Sequence, residues 1–174
     1  SHVGAASTAG NRITHSVVIP ATVVANDTLV LFLTTNSTTS TVNDTVPGWT
    51  LLETRDGNTI RGRAWTKRAV ATDAGAVVSV TTSAYAKSVM AVSAYRSSVA
   101  NSSVTASASS VSADTTATLS TPTVPVAGAG SWLVNYWSEK SSTALTWSLP
   151  VEATQRAIGA ATGTGKVSGV LGDS

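Results

Sequence analysis

Four residues in the segment 60–68 carry the richest chemistry of the chain: Arg61, Arg63, Trp65 and Lys67. Side chains of an extended strand alternate between faces, so these four share one face. Ile60, Gly62, Ala64 and Thr66 take the other. Three cations around one indole suit an anionic or glycan ligand. The ring stacks on a sugar face while guanidinium groups bridge hydroxyls or carboxylates in bidentate fashion. A plainer role fits the same pattern: Trp65 closes a sheet edge and the cations form its solvated side. A second cluster is Trp137, Glu139, Lys140 and Trp147. Trp137 is expected to be exposed, on the strand face it shares with Leu133 and Asn135, with Glu139 in the loop that follows. Aromatic rings at a polar loop rim are what glycan recognition uses; packing of large side chains against a connecting segment is the alternative. The expected ligand-binding residues are thus Arg61, Arg63, Trp65, Lys67, Trp137, Glu139 and Trp147. Trp49 and Trp132 read as core.

Catalysis finds little to work with. The nine carboxylates are thinly spread. A glycosidase-type pair would have to join Glu53 to Glu139 or Glu152. Gly163-Thr164-Gly165-Lys166 lacks the spacing of a phosphate loop and reads as a hairpin turn. An isopeptide crosslink would draw its amine from Lys87 or Lys140. Asp27, Asp44, Asp73 and Asp114 fall in loops, where structural calcium is conceivable but turn formation is the simpler role. His15 reads as a surface or edge histidine. The chain is expected to be non-catalytic and to need no cofactor.

The elements that position these residues read as short strands. Runs near 13–19, 28–35, 49–54, 60–68, 76–82 and 88–96 form a first half. Runs near 104–110, 115–126, 131–138, 144–149, 153–158 and 165–171 form a second. Asp56-Gly57 marks a tight hairpin with positive φ. Helix is expected nowhere beyond a single turn near 68–75. The two halves repeat one pattern, with Thr28 shifted onto Ser131, Pro47 onto Pro150 and Gly62-Arg63 onto Gly165-Lys166, an offset of 103. On this register the partner of the stretch ending near Ser97 lies about 26 residues past Ser174. The C-terminal strands are therefore expected to be missing, or supplied in trans by another copy or partner. Taken together, the pattern predicts an all-β, two-sheet antiparallel sandwich of jelly-roll type. It spans 1–174 as one domain, with halves of about 11–98 and 114–174 interleaved in one core.

Composition limits the function classes. Ser and Thr are roughly three residues in ten, while charged residues are only 11%. The surface must therefore be rich in hydroxyls. A net charge of +2 is too weak to argue for nucleic acid. The absence of Cys excludes disulfides and thiolate metal sites. No apolar run approaches the ~20 residues of a membrane span.

Several segments resemble a known module. Val3–Arg12, Pro47-Gly48-Trp49-Thr50-Leu51-Leu52, Ser93-Ala94-Tyr95-Arg96 and Trp132-Leu133-Val134 are similar to a β-sandwich module of secreted, multidomain actinobacterial proteins. Such proteins often carry PKD-type or other immunoglobulin-like repeats, and similar patterns occur in phage tail-associated proteins. The resemblance implies a secreted, extracellular accessory module that binds carbohydrate or cell-surface polymer, and it brings no catalytic residues. It also implies a further terminal strand after Leu171-Gly172-Asp173-Ser174. The alternative function is a structural or adhesive subunit of a filament, stalk or phage particle. Such a subunit would self-associate or take a partner strand at its C-terminal edge.

Overall fold

The computed structural model describes residues 1–37, 39–99, 102–112, 116–126, 128–143 and 145–174. Eight strands follow one another among them: β1 (His2–Val18), β2 (Thr28–Thr35), β3 (Thr50–Asp56), β4 (Arg61–Arg68), β5 (Val77–Tyr95), β6 (Val134–Ser141), β7 (Thr154–Ala160) and β8 (Lys166–Asp173). One 3₁₀ turn, Ala71–Asp73, interrupts them. The fold is all-β with two antiparallel sheets, ordered β1-β5-β2-β4-β3 and β6-β8-β7. Each sheet draws its strands from one half of the sequence, so the halves are stacked and not interleaved. The order β2-β4-β3 recurs as β6-β8-β7. Strand starts fall at 28, 50 and 61 in one unit and at 134, 154 and 166 in the other.

The centre of the five-stranded sheet, β2 and the second half of β5, is buried on both faces, which explains its composition. β2 reads Leu29-Val30-Leu31-Phe32-Leu33 without polar alternation, as a strand covered on both sides should. Every residue from Ser88 to Tyr95 in β5 is buried. The first cover is the sheet's own far end. The β1–β5 ladder breaks between Arg12 and Thr14, where Ile13 alone stands against Thr82–Tyr85. A bulge of this size bends both strands. Thr8 Oγ1 consequently reaches Ser16 O at 2.7 Å. In a straight strand eight residues span about 26 Å. The folded-back tip sets Val17, Val78 and Val80 against Leu29, Leu31, Leu33, Trp65, Met90 and Val92 in the main hydrophobic core. That core is drawn wholly from residues 17–94.

The three-stranded sheet covers the opposite face. Phe32 and Tyr136 stack at 4.8 Å, and Thr34 Oγ1 donates to Ser138 Oγ at 2.8 Å. Ser7 Oγ donates to Ile158 O at 2.7 Å. Small residues make room between the sheets, at Gly159, and beside the Tyr136 ring of the same sheet, at Gly169. A Cβ on Gly159 would stand 3.0 Å from Val89, and one on Gly169 would stand 2.6 Å from the Tyr136 hydroxyl.

Several expected strands differ from those observed. Residues 2–12, which lack apolar alternation, form most of β1. The runs near 76–82 and 88–96 are one strand, β5, bent at the bulge. The described parts of 104–110, 115–126 and 144–149 are not strands; residues 115 and 144 lie outside the described set. The connection after Asp56 closes through Gly57 N donating to Ile60 O at 2.8 Å. Gly57 is not among the positive-φ residues, so the connection turns tightly around Asn58-Thr59 without the positive φ expected at Gly57. Gly163 and Gly165, at φ 77° and 62°, make the turn between β7 and β8. No helix among the described residues is long and apolar enough to cross a membrane.

Candidate functional site

Arg61, Arg63, Trp65 and Lys67 do share one face of β4, but Trp65 and Arg63 turn it inward. Trp65 is 0% exposed, sits opposite Leu31 in the ladder, and donates its indole N–H to Asp44 O at 2.9 Å. It cannot stack on a sugar. The cations are neutralised within the protein. Arg63 pairs with Asp44 Oδ1 at 2.5 Å and Asp56 Oδ1 at 2.6 Å. Arg61 pairs with Asp56 Oδ2 at 2.5 Å, and Lys67 with Asp73 Oδ1 at 2.6 Å. The Arg63 guanidinium, by hydrogen bonding, holds the Asp56 carboxyl below its usual range. This predicted exposed site is therefore an internal ion-pair network that fastens the 41–46 loop and the end of β3 onto the core. Lys67 does border a shallow cleft of about 170 Å³ beside Thr66 and Arg68, with its ammonium on Asp73.

The loop aspartates are engaged by cations of the chain in the same way. Asp27 is held bidentately by Arg96, both contacts at 2.8 Å, which lowers its pKa. Asp44 and Asp73 serve Arg63 and Lys67. Asp114 lies outside the described residues. No group of three His, Asp or Glu side chains gathers among those described. Glu53 accepts from Ser109 Oγ at 2.6 Å and Ser107 Oγ at 2.7 Å, pinning the 102–112 segment onto the five-stranded sheet. Lys87 gives its ammonium to Thr164 O, a backbone oxygen and not a side-chain amide or acid.

His15 is not at the surface. It is 2% exposed, with Nδ1 at 2.6 Å from Ser88 Oγ and Nε2 at 3.2 Å from Thr82 Oγ1. Burial, with Arg12 adding repulsion, lowers its pKa to about 4. It plugs the bend in the β1–β5 ribbon. This role has no sequence signal, because a lone histidine carries no pattern. A second buried knot joins the sheets: Asp173, 0% exposed, accepts from Tyr95 Oη at 2.8 Å and Arg156 Nε at 2.7 Å.

Of the second predicted cluster, Trp137, Glu139 and Trp147 come together on one face, while Lys140 falls on the other side of β6. Tyr136 and Ser138 point inward to Phe32 and Thr34, so Asn135, Trp137 and Glu139 face outward from β6. Trp137 stands opposite Val170 and Glu139 opposite Ser168. The 145–150 segment crosses this outer face. Trp147 donates to Ser168 Oγ at 3.2 Å, and Ser168 donates to Glu139 Oε1 at 2.9 Å. Trp137, Glu139 and Trp147 are all half-buried. Beside them lies a cavity of about 190 Å³ with Trp137, Asn135, Leu133, Pro150, Glu152 and Thr121 in its wall. Asn135 was visible in sequence as sharing the Trp137 face; Glu152 and Thr121 arrive through turns that no alternation announces. Trp132, read as core, is 41% exposed. It leans on Tyr95 at 5.5 Å because the chain has not yet entered β6. Trp49 is half-buried and packs on the core as expected.

This face offers an aromatic ring, amide and hydroxyl groups, and two carboxylates in a shallow, open setting. No protein-family model matches the chain, and no curated protein or solved structure matches it.

Proposed function

We propose that this chain is a non-catalytic, extracellular module that binds carbohydrate or a cell-surface polymer on the outer face of the three-stranded sheet. The observation that carries this reading is the cavity walled by Trp137, with Asn135, Glu152 and Thr121 supplying polar contacts around an apolar ring. Sites of this kind fix a ligand by a few placed polar groups beside aromatic surface. The resemblance to secreted modules points the same way. A glycan array probed with the wild-type chain and Trp137→Ala tests it. Binding that Trp137→Ala removes supports the reading. An array silent for the wild type, or a signal that survives Trp137→Ala, removes it.

A structural or adhesive role is the second reading, and β1 favours it. This strand pairs only with β5, and His2–Gly10 contains no Lys, Arg, Asp, Glu or Pro. Edge strands without such guards are prone to pair with another strand. β6 and β7 likewise pair only with β8. Light scattering across a concentration series decides: growing mass supports assembly through these edges, and a monomer at every concentration counts against it.

A further inference from the structure

We infer that the outer-face cavity selects a sugar unit bearing a free ammonium group, an inference that rests on the glycan reading above. At the cavity end of this face the charged side chains are carboxylates, while Lys166, opposite Ser141, stands at the far end of the same face. Glu152 lines the cavity with Trp137. Glu139 lies two residues beyond Trp137 on the same side of β6, about 7 Å along the strand. The indole is thus flanked by an acid at each end. No lysine or arginine lines the cavity. Arg156 is bound to the buried Asp173, Lys140 falls on the opposite side of β6 from Glu139 by alternation, and Lys166 lies beyond Glu139, away from the cavity wall.

The chemistry that completes this arrangement is cationic. Ionised carboxylates only accept hydrogen bonds, and an ammonium only donates them. An ammonium near an indole face gains further from the ring quadrupole. Asn135 and Thr121, which both donate and accept, suit the neutral hydroxyls of the same ring. A uronate or sulfated sugar would instead set its anion beside the Glu152 carboxylate, with no cation in the cavity wall to pair it. The cavity volume is below the ~300–1,000 Å³ of sites that enclose a drug-sized ligand. One sugar ring is held, and a polymer runs on over the open face. The ligand class assigned is therefore an amino-sugar polymer with unacetylated nitrogens.

The test uses three tetrasaccharides in titration calorimetry: β-1,4-linked glucosamine, its fully N-acetylated counterpart, and galacturonate. The glucosamine tetramer should bind at least about fivefold tighter than the acetylated one in low salt. That margin should shrink in 0.5 M salt, chosen as several-fold above physiological ionic strength. Glu152→Gln, on an exposed turn, should lower affinity for glucosamine severalfold more than affinity for the acetylated form. Equal or tighter binding of the acetylated tetramer, or comparable binding of galacturonate, overturns the inference while leaving the glycan reading standing. Silence from all three overturns both.

Discussion

The Tyr95 hydroxyl donates to Asp173 Oδ2 across 2.8 Å, joining β5 to β8 and so one sheet to the other. Asp173 has no exposure of its own, and its second oxygen is taken by Arg156. Burial raises the Tyr95 pKa, which keeps the phenol a donor at any ordinary pH. Tyr95→Phe removes that donor and leaves one oxygen of a buried carboxylate short of a partner. The expected loss is about 1–3 kcal/mol. Urea denaturation followed by fluorescence measures it. A change below about 0.5 kcal/mol, the scatter of ordinary surface substitutions, would show that the bond does not fasten the layers.

Gly169 faces the ring of Tyr136. A Cβ built there would lie 2.6 Å from the hydroxyl and 3.0 Å from the ring carbon that bears it. Burial has pushed the Tyr136 pKa up to about 12, and the ring is stacked on Phe32, so it has little room to retreat. Gly169→Ala should cost about 1–3 kcal/mol by overpacking. Tyr136→Phe relieves the closest contact. In the double variant the combined loss should therefore be smaller than the two single losses added. Strict additivity in thermal melts would rule out the contact as the cause.

Much of this architecture was legible in the sequence, and the failures share a cause. Alternation correctly grouped Arg61 with Arg63, Trp65 and Lys67, and Asn135 with Trp137. Alternation cannot say which face is outside when a sheet is covered on both sides. The cover came from the bend at Ile13, where one residue opposes four, and no propensity marks a bulge of that kind. The cations then looked like a ligand site because their partners are distant in sequence. Yet the signal was present: Asp44, Asp56 and Asp73 sit in or beside turns near three cations that needed neutralising. Residues 2–12 gave no strand signal because their packing depends on smallness. Ser7, for example, meets the backbone of β7, where bulk would be excluded.

Trp65 and Trp137 should behave oppositely when truncated. Trp65 is fully enclosed and hydrogen-bonded to Asp44 O, so Trp65→Ala removes a large core side chain and should cost about 3–5 kcal/mol. Trp137 is half-buried at the surface, and its truncation should cost clearly less and leave the fold intact. Circular dichroism melts of the two variants compare them directly. A Trp65→Ala protein as stable as wild type would restore an exposed role for that face.

Stability should also fall on mild acidification, through His15. Its native pKa, near 4, lies below the unfolded value of 6.5, so between those limits the unfolded chain takes up a proton that the native state refuses. Stability from this group is therefore complete above pH 6.5, declines as pH falls toward 4, and then levels off. Between pH 7 and 5 the expected loss is about 2 kcal/mol. The carboxylates with lowered pKa values, Asp27, Glu53 and Asp56, act in a different window. Their contribution is present above about pH 4.5 and is lost only below it. Urea midpoints at pH 7, 6 and 5 thus read the histidines alone, and because burial also lowers the His2 pKa, a His15 variant separates the two. His15→Gln keeps a polar side chain beside Ser88 and Thr82 without titrating. It should be less stable than wild type at pH 7, and it should lose most of the slope between pH 7 and 5, the remainder belonging to His2. If His15→Gln retains that slope, protonation elsewhere governs the acid response and the buried imidazole at the bend is not its origin.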